Sequence, residues 1–307
     1  MYEQFFGLEE QPFRLTPDTS FYYSFAGHQE ALNTLLVALH MGEGFIKVTG
    51  EVGTGKTLLC RKLLNELAED ASYVTAYIPN PSLTPTALKY SLADELGIEY
   101  PRNIGQHKIM SLINEKLVEI KAQDKTAILI IDEAQALDED CLEAVRLLTN
   151  LEPEKSKLLH IVLFGQPELN ENLEHSRVRQ FKQRITFAYS LTPLSGEVIY
   201  GYLSHRLAVA GYTGPELFNA AICQKMYRFS GGIPRLVNIL AHKCLLLAYG
   251  EGTSKITSKH LMNAVNDTES IQRKGSGWLK RLFLLLMGTG LSTAAIAGAY
   301  FYYGVMQ

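Results

Sequence analysis

Short continuous apolar runs alternate with stretches of helical spacing up to about residue 190, and beyond that point only helical spacing remains. Phe45-Ile46-Lys47-Val48-Thr49 and Tyr73-Val74-Thr75-Ala76-Tyr77-Ile78 read as strands, the second stopped by Pro79-Asn80-Pro81. Ala127-Ile128-Leu129-Ile130-Ile131 is apolar at every position, which predicts a central parallel strand covered on both faces. His160–Gly165 and Ile185–Tyr189 complete the set. Helical spacing covers His28–Leu39, Leu58–Leu64, Thr84–Leu96, Gln106–Lys121, Asp138–Leu151 and Glu168–Lys182. After Leu191 it covers Glu197–Ala210, Glu216–Phe229, Pro234–Ala248 and Thr257–Val265. The alternation predicts an α/β domain over 1–190, and the change of pattern predicts a small helical domain over 191–267.

A polar linker follows over 268–281, and then Leu282–Met306 runs without a charged side chain. At about 1.5 Å per residue that stretch can cross a hydrocarbon core of about 30 Å. Arg273, Lys274, Lys280 and Arg281 flank its start and no charge flanks its end, while Trp278, Tyr300, Tyr302 and Tyr303 sit where interfacial aromatics belong. The expectation is a single-pass C-terminal transmembrane helix, with residues 1–281 in the cytoplasm and the tail outside. Met1-Tyr2-Glu3-Gln4 lacks the basic and apolar regions of a cleavable signal peptide.

Composition narrows the chemistry. With 47% apolar and 20% charged residues the chain can bury a sizeable core, and a net charge of −3 offers no basic excess for stable nucleic-acid binding. The four cysteines form no C-x-x-C pair, and the eight histidines show no metal-ligand spacing.

The sharpest signal lies between the first strand and the helix after it. Gly50-Glu51-Val52-Gly53-Thr54-Gly55-Lys56-Thr57 has the G-x-x-x-x-G-K-[ST] spacing of a phosphate-binding loop, in the strand–loop–helix setting that it needs. Glycines let consecutive N–H groups turn inward at phosphate oxygens, and the helix N-terminus adds its dipole. These eight residues and Leu58 are the expected nucleotide contacts. Lys56 would reach the β- and γ-phosphates of ATP and the Thr57 hydroxyl would ligate Mg²⁺. Asp132-Glu133 ends the central strand at the edge where such sheets bind ligands. Asp132 is the expected second holder of Mg²⁺, and Glu133 the carboxylate that orients and deprotonates the attacking water.

Other positions leave alternatives open. Gln166, at the end of another strand, can touch the γ-phosphate or simply form a turn. Arg235 follows Gly231-Gly232-Ile233-Pro234 at a helix N-terminus, where a cation does not help the helix, so it faces either an anionic partner or solvent. The proline-punctuated aromatic lead-in of residues 1–30 either covers the sheet edge or lines a nucleotide base, with Pro12, Phe13 and His28 as base-side candidates. Asp132-Glu133-Ala134-Gln135 superficially resembles a helicase box.

The loop GEVGTGKT, Asp132-Glu133, Gln166, the arginines before 185 and the GIPR stretch together resemble an AAA+ ATPase. The resemblance implies an αβα nucleotide-binding domain with a helical lid, with Gln166 as sensor 1 and Arg235 as sensor 2. It also implies an arginine finger supplied to a neighbouring subunit, from among Arg177, Arg179 and Arg184, with Arg184 favoured, and hence a homo-oligomer. Phe6-Gly7-Leu8, Gln11-Pro12-Phe13, Thr16-Pro17-Asp18 and Phe164-Gly165-Gln166-Pro167-Glu168-Leu169 are similar to the ExeA/GspA group of secretion ATPases, over roughly residues 1–270. A short version resembles the branch tied to the mannose-sensitive haemagglutinin (MSHA) type IV pilus. What this implies is ATP-driven assembly of an envelope-spanning pilus or type II secretion machine, with inner-membrane partners in a Gram-negative cell. The rival expectations are an ATP-switched scaffold of the same machinery with little turnover, and a DNA-handling AAA+ ATPase.

Overall fold

The computed structural model describes residues 1–101, 104–149 and 157–271. Most of the expected linker and the whole of the expected span at 282–306 lie outside the described residues. Among the described residues no helix is long and apolar enough to cross a membrane.

The strands β1 (Phe45–Gly50), β2 (Tyr73–Ile78), β3 (Thr126–Ile131), β4 (Leu159–Gly165) and β5 (Phe187–Leu191) form one sheet in the order β2-β3-β4-β1-β5. All neighbouring pairs are parallel. The uniform apolarity of β3 has the expected cause. Ala127, Leu129 and Ile131 enter one core with the helices Pro85–Glu95, Gln106–Ala122 and Glu139–Leu148. Ile128 and Ile130 enter the opposite core with Ala26–His40 and Lys56–Ala68. Thr84 and Asp138 cap their helices, accepting from the backbone N–H of Ala87 and Cys141.

Two expectations are corrected. β5 runs two residues later than Ile185–Tyr189, because Thr186 donates through both its N–H and its hydroxyl to the Phe45 carbonyl, and pairing with β1 begins at Phe187 opposite Ile46. The expected helix Glu168–Lys182 is three pieces: Glu168–Asn172, a 3₁₀ turn at Ser176–Val178, and Arg179–Arg184. Leu169, Leu173, Val178 and Phe181 are all buried in the same core. The five-residue step from Leu173 to Val178 would swing a continuous helix off that face, so the chain breaks and resets its phase.

Val198–Val209, Ala220–Ser230, Pro234–Gly250 and Ser258–Asn266 form the helical layer, around a core of their own. That core includes Tyr2, Phe6, Leu8, Phe13 and Phe21. The aromatic lead-in therefore covers the helical layer rather than the sheet edge, and the first residues of the chain belong physically with its last described ones. Tyr2 is hydrogen-bonded to His242 at 3.0 Å, and Phe13 packs edge-on against Phe218.

Candidate nucleotide-binding site

The loop after β1 turns into the helix Lys56–Ala68 through Gly53 (φ 84°) and Gly55 (φ 99°), values that disfavour any side chain. The space around them is also taken. A Cβ on Gly55 would come within 2.7 Å of the His28 ring, and one on Gly53 within 2.7 Å of the Arg235 Cβ. Lys56 is buried, and its Nζ donates to the carbonyls of Gly50 at 2.7 Å and Glu51 at 3.1 Å. Burial pushes its ammonium below the usual lysine range, against the pull of Glu133 and Asp132.

Asp132 lies at the C-terminal end of β3 and is 2% exposed. Burial raises its carboxyl above the usual range, and hydrogen bonds from the Thr57 hydroxyl and the Glu133 N–H pull it back. A buried carboxylate beside a hydroxyl, both hard oxygen donors, fits Mg²⁺, which takes few protein ligands and completes its shell with phosphate and water. Among the described residues no group of three or more His, Cys, Asp or Glu could cage a metal by itself.

Glu133 is in the left-handed region (φ 52°, ψ 37°), which for a residue with a side chain costs about 1–2 kcal/mol. Its Oε2 accepts from Gln135 Nε2 at 2.5 Å and from Gln166 Nε2 at 3.1 Å. The Gln135 Oε1 accepts in turn from the Gln166 backbone N–H at 2.9 Å, and the Gln135 carbonyl accepts from Asn172 Nδ2 at 3.1 Å. Gln166 thus stands beside the carboxylate rather than in an idle turn.

These groups open onto a cleft of about 210 Å³. Val52, Gly53, Gly55, Lys56, Thr57 and Leu58 form its floor, and Glu133 and Gln166 one end. Arg235 reaches it from the helical layer, where its backbone N–H also donates to the Gly53 carbonyl at 3.2 Å. Arg14 to Asp18 of the lead-in form the opposite wall. The lead-in does reach the cleft, but not through the side chains expected. Phe13 is locked in the helical core, and Pro12 uses its carbonyl to accept from Arg206 Nε at 2.6 Å. His28 stands behind the loop, its Nε2–H bonded to the Thr54 carbonyl at 3.0 Å between the rings of Tyr22 and Phe25. Burial pushes the His28 imidazole down to about 4. Gly50, Glu51, Thr54 and Asp132 do not line the cleft.

Sequence reasoning missed Arg206, Tyr202 and Asn238 on this wall. Arg206 is 5% exposed, its guanidinium 4.7 Å from the Phe21 ring centre and 5.8 Å from that of Tyr202, whose hydroxyl donates to Asn238. A buried cation held by a carbonyl and two rings rather than by a carboxylate is a signal only a folded chain displays.

The arginines before 185 lie elsewhere. Arg184 donates to the Thr149 hydroxyl at 2.5 Å. It precedes the Thr186–Phe45 contact at the start of β1, so it sits at the sheet edge opposite the phosphate loop. Arg177 is exposed and pairs with Glu139 and Asp140. The side chain of Arg179 is outside the described part.

Residues 39–173 match the family model described as an AAA domain. The fold is that of an AAA-type P-loop domain. Around this AAA-type core, general secretion pathway protein A of Aeromonas hydrophila is 40% identical over 302 residues, which is 98% of this chain and 54% of that protein. An uncharacterised HTH-type transcriptional regulator of Methanocaldococcus jannaschii is 25% identical over 252 residues, 78% of this chain and 60% of that one. The chain thus spans little more than half the length of the curated relatives that it matches. Among solved structures, Cdc6p from Pyrobaculum aerophilum superimposes with a TM-score of 0.63 at 21% identity, over 80% of this chain and 70% of that one. Domain III of Thermotoga maritima DnaA gives 0.51 at 20% identity, over 83% and 98%. Both share the fold.

Proposed function

We propose that this protein is a secretion-pathway-A-type ATPase, anchored in a bacterial inner membrane, that hydrolyses ATP with Mg²⁺ to drive or regulate assembly of a type IV (MSHA-like) pilus or a type II secretion machine. What supports the enzymatic part is one cleft shared by the Lys56 loop, Glu133 at the end of β3, Gln166 and Arg235. The secretion part rests on the 40% identity to general secretion pathway protein A. The anchor rests on the uncharged stretch 282–306, and the basic residues before it favour catalytic domains in the cytoplasm and a C-terminus in the periplasm. A reporter active only outside the cytoplasm, fused after Gln307, tests that orientation, and a silent reporter in stable fusions would overturn it.

In this reading Lys56 exchanges its two carbonyl partners for β- and γ-phosphate oxygens. Thr57 and Asp132 would hold Mg²⁺, which when bound would supply positive charge beside the transferring phosphoryl group. Glu133 takes the proton of the attacking water, and Gln166 holds the geometry between carboxylate and γ-phosphate. Arg235 reaches the phosphates from the helical layer, and Arg184 completes the site of a neighbouring subunit.

The test separates binding from turnover. Lys56→Ala should abolish detectable ATP binding. Glu133→Gln should retain ATP with affinity within a few-fold of the wild type and hydrolyse it at least about 100-fold more slowly. Binding without turnover in the wild type would favour a nucleotide-switched scaffold, and equal loss of ATP in both variants would refute the roles given to the two residues.

A further inference from the structure

We infer that Gln135 is a positioning residue for hydrolysis: its one side-chain amide holds the water-activating carboxylate of Glu133 and the backbone of Gln166 in a fixed relation. The inference rests on the ATPase reading above and adds to it a residue for which no role followed from the sequence pattern.

Geometry carries it. The two ends of the Gln135 amide are used in opposite senses, Nε2 donating to Glu133 Oε2 and Oε1 accepting from the Gln166 N–H at 2.9 Å. A glutamine amide supplies a donor and an acceptor on one rigid plane whatever the pH. Gln166 closes the ring by donating from its own Nε2 to the same Glu133 oxygen. Glu133, Gln135 and Gln166 therefore form a closed hydrogen-bonded circuit between the ends of β3 and β4. The circuit is anchored once more where Asn172 binds the Gln135 carbonyl. It also accounts for the backbone of Glu133. The left-handed conformation there is unfavourable, and it persists where surrounding bonds over-determine it. With both donors on Oε2, Oε1 of Glu133 is the oxygen left for the attacking water.

The circuit joins groups from two strands, so removing Gln135 should disturb turnover more than ATP binding. Gln135→Ala is expected to lower kcat by about 10–100-fold, the range seen when groups orienting a catalytic residue are removed, with KM for ATP changed less than about threefold. Gln135→Glu separates the two halves of the amide. It is isosteric and, as a carboxylate in alkaline buffer, can still accept from the Gln166 N–H but cannot donate to Glu133, so under those conditions it should be as slow as Gln135→Ala. Each change is also made on the Glu133→Gln background. There it should cost less than about twofold more, because the group being positioned is already disabled. General structural damage would instead add its full penalty on both backgrounds.

Activity of Gln135→Glu within about threefold of the wild type in alkaline buffer, a parallel loss of ATP affinity, or full additivity with Glu133→Gln would each overturn the inference. Failure of the ATPase reading looks different. The wild type would then show no hydrolysis that Lys56→Ala abolishes, whatever stands at position 135.

Discussion

At the scale of the residue, the phosphate loop is set from behind as much as from in front. His28 is a structural partner of the loop, and its depressed pKa has a consequence that can be measured. The folded protein holds this ring neutral to about 4, whereas an unfolded chain protonates near 6.5. Stability from this residue is therefore full above about pH 6.5 and is lost as pH falls through 4, by roughly 3–4 kcal/mol at most. Urea unfolding at pH 7.5 and 4.5 should show a smaller drop for His28→Gln than for the wild type, although the variant starts less stable because it loses the stacking with Tyr22 and Phe25. Equal drops in the two proteins would remove His28 from this role. The motif residues were legible at this scale because phosphate chemistry demands fixed types at fixed spacing. Gln135 and Arg206 were not. A polar residue after a strand reads as loop, and an arginine in the run Ser204-His205-Arg206-Leu207 reads as a solvent-facing helix position until the lead-in is known to cover it.

Among elements, the lead-in is the piece most misjudged from sequence, since nothing local says which distant surface five buried aromatic and aliphatic side chains will meet. Its partner is the helical layer at the other end of the chain, and Phe13 is the clearest probe. Phe13→Ala removes a ring packed on Phe218 and should cost about 3–5 kcal/mol of local stability. Hydrogen exchange should quicken in Val198–Val209 and Ala220–Ser230 while β1 and β3 keep their protection. Loss of protection first in the edge strands β2 and β5 would restore the idea of a sheet cover. β3 was legible because burial on both faces leaves residues 127–131 apolar at every position. The break near Leu173 follows from the five-residue step between buried positions, but apolar spacing alone does not say which leucines and valines of that stretch face the core.

For the whole molecule, the far-edge position of Arg184 motivates a shared active site. A cation supplied from a second subunit is worth roughly 10³–10⁵ in rate. Arg184→Ala should bind ATP, self-associate and hydrolyse slowly. Mixed with Lys56→Ala it should regain activity, since intact Lys56 from one variant can meet intact Arg184 from the other. A mixture as inactive as its parts, with mixed oligomers demonstrated, would rule Arg184 out. The helix Pro234–Gly250 gives such a cycle somewhere to go. One end rests on the phosphate loop through Arg235 and Gly53, and the other packs through Tyr249 on Phe5. Its 17 residues make an arm of about 25 Å, so a tilt of about 10° at the loop would carry the far end through roughly 4 Å. Such a tilt would make the helix a lever that pivots where Arg235 meets Gly53. Ile271 lies in the core built around this helix, so such a tilt would also displace whatever is joined to the chain beyond that residue.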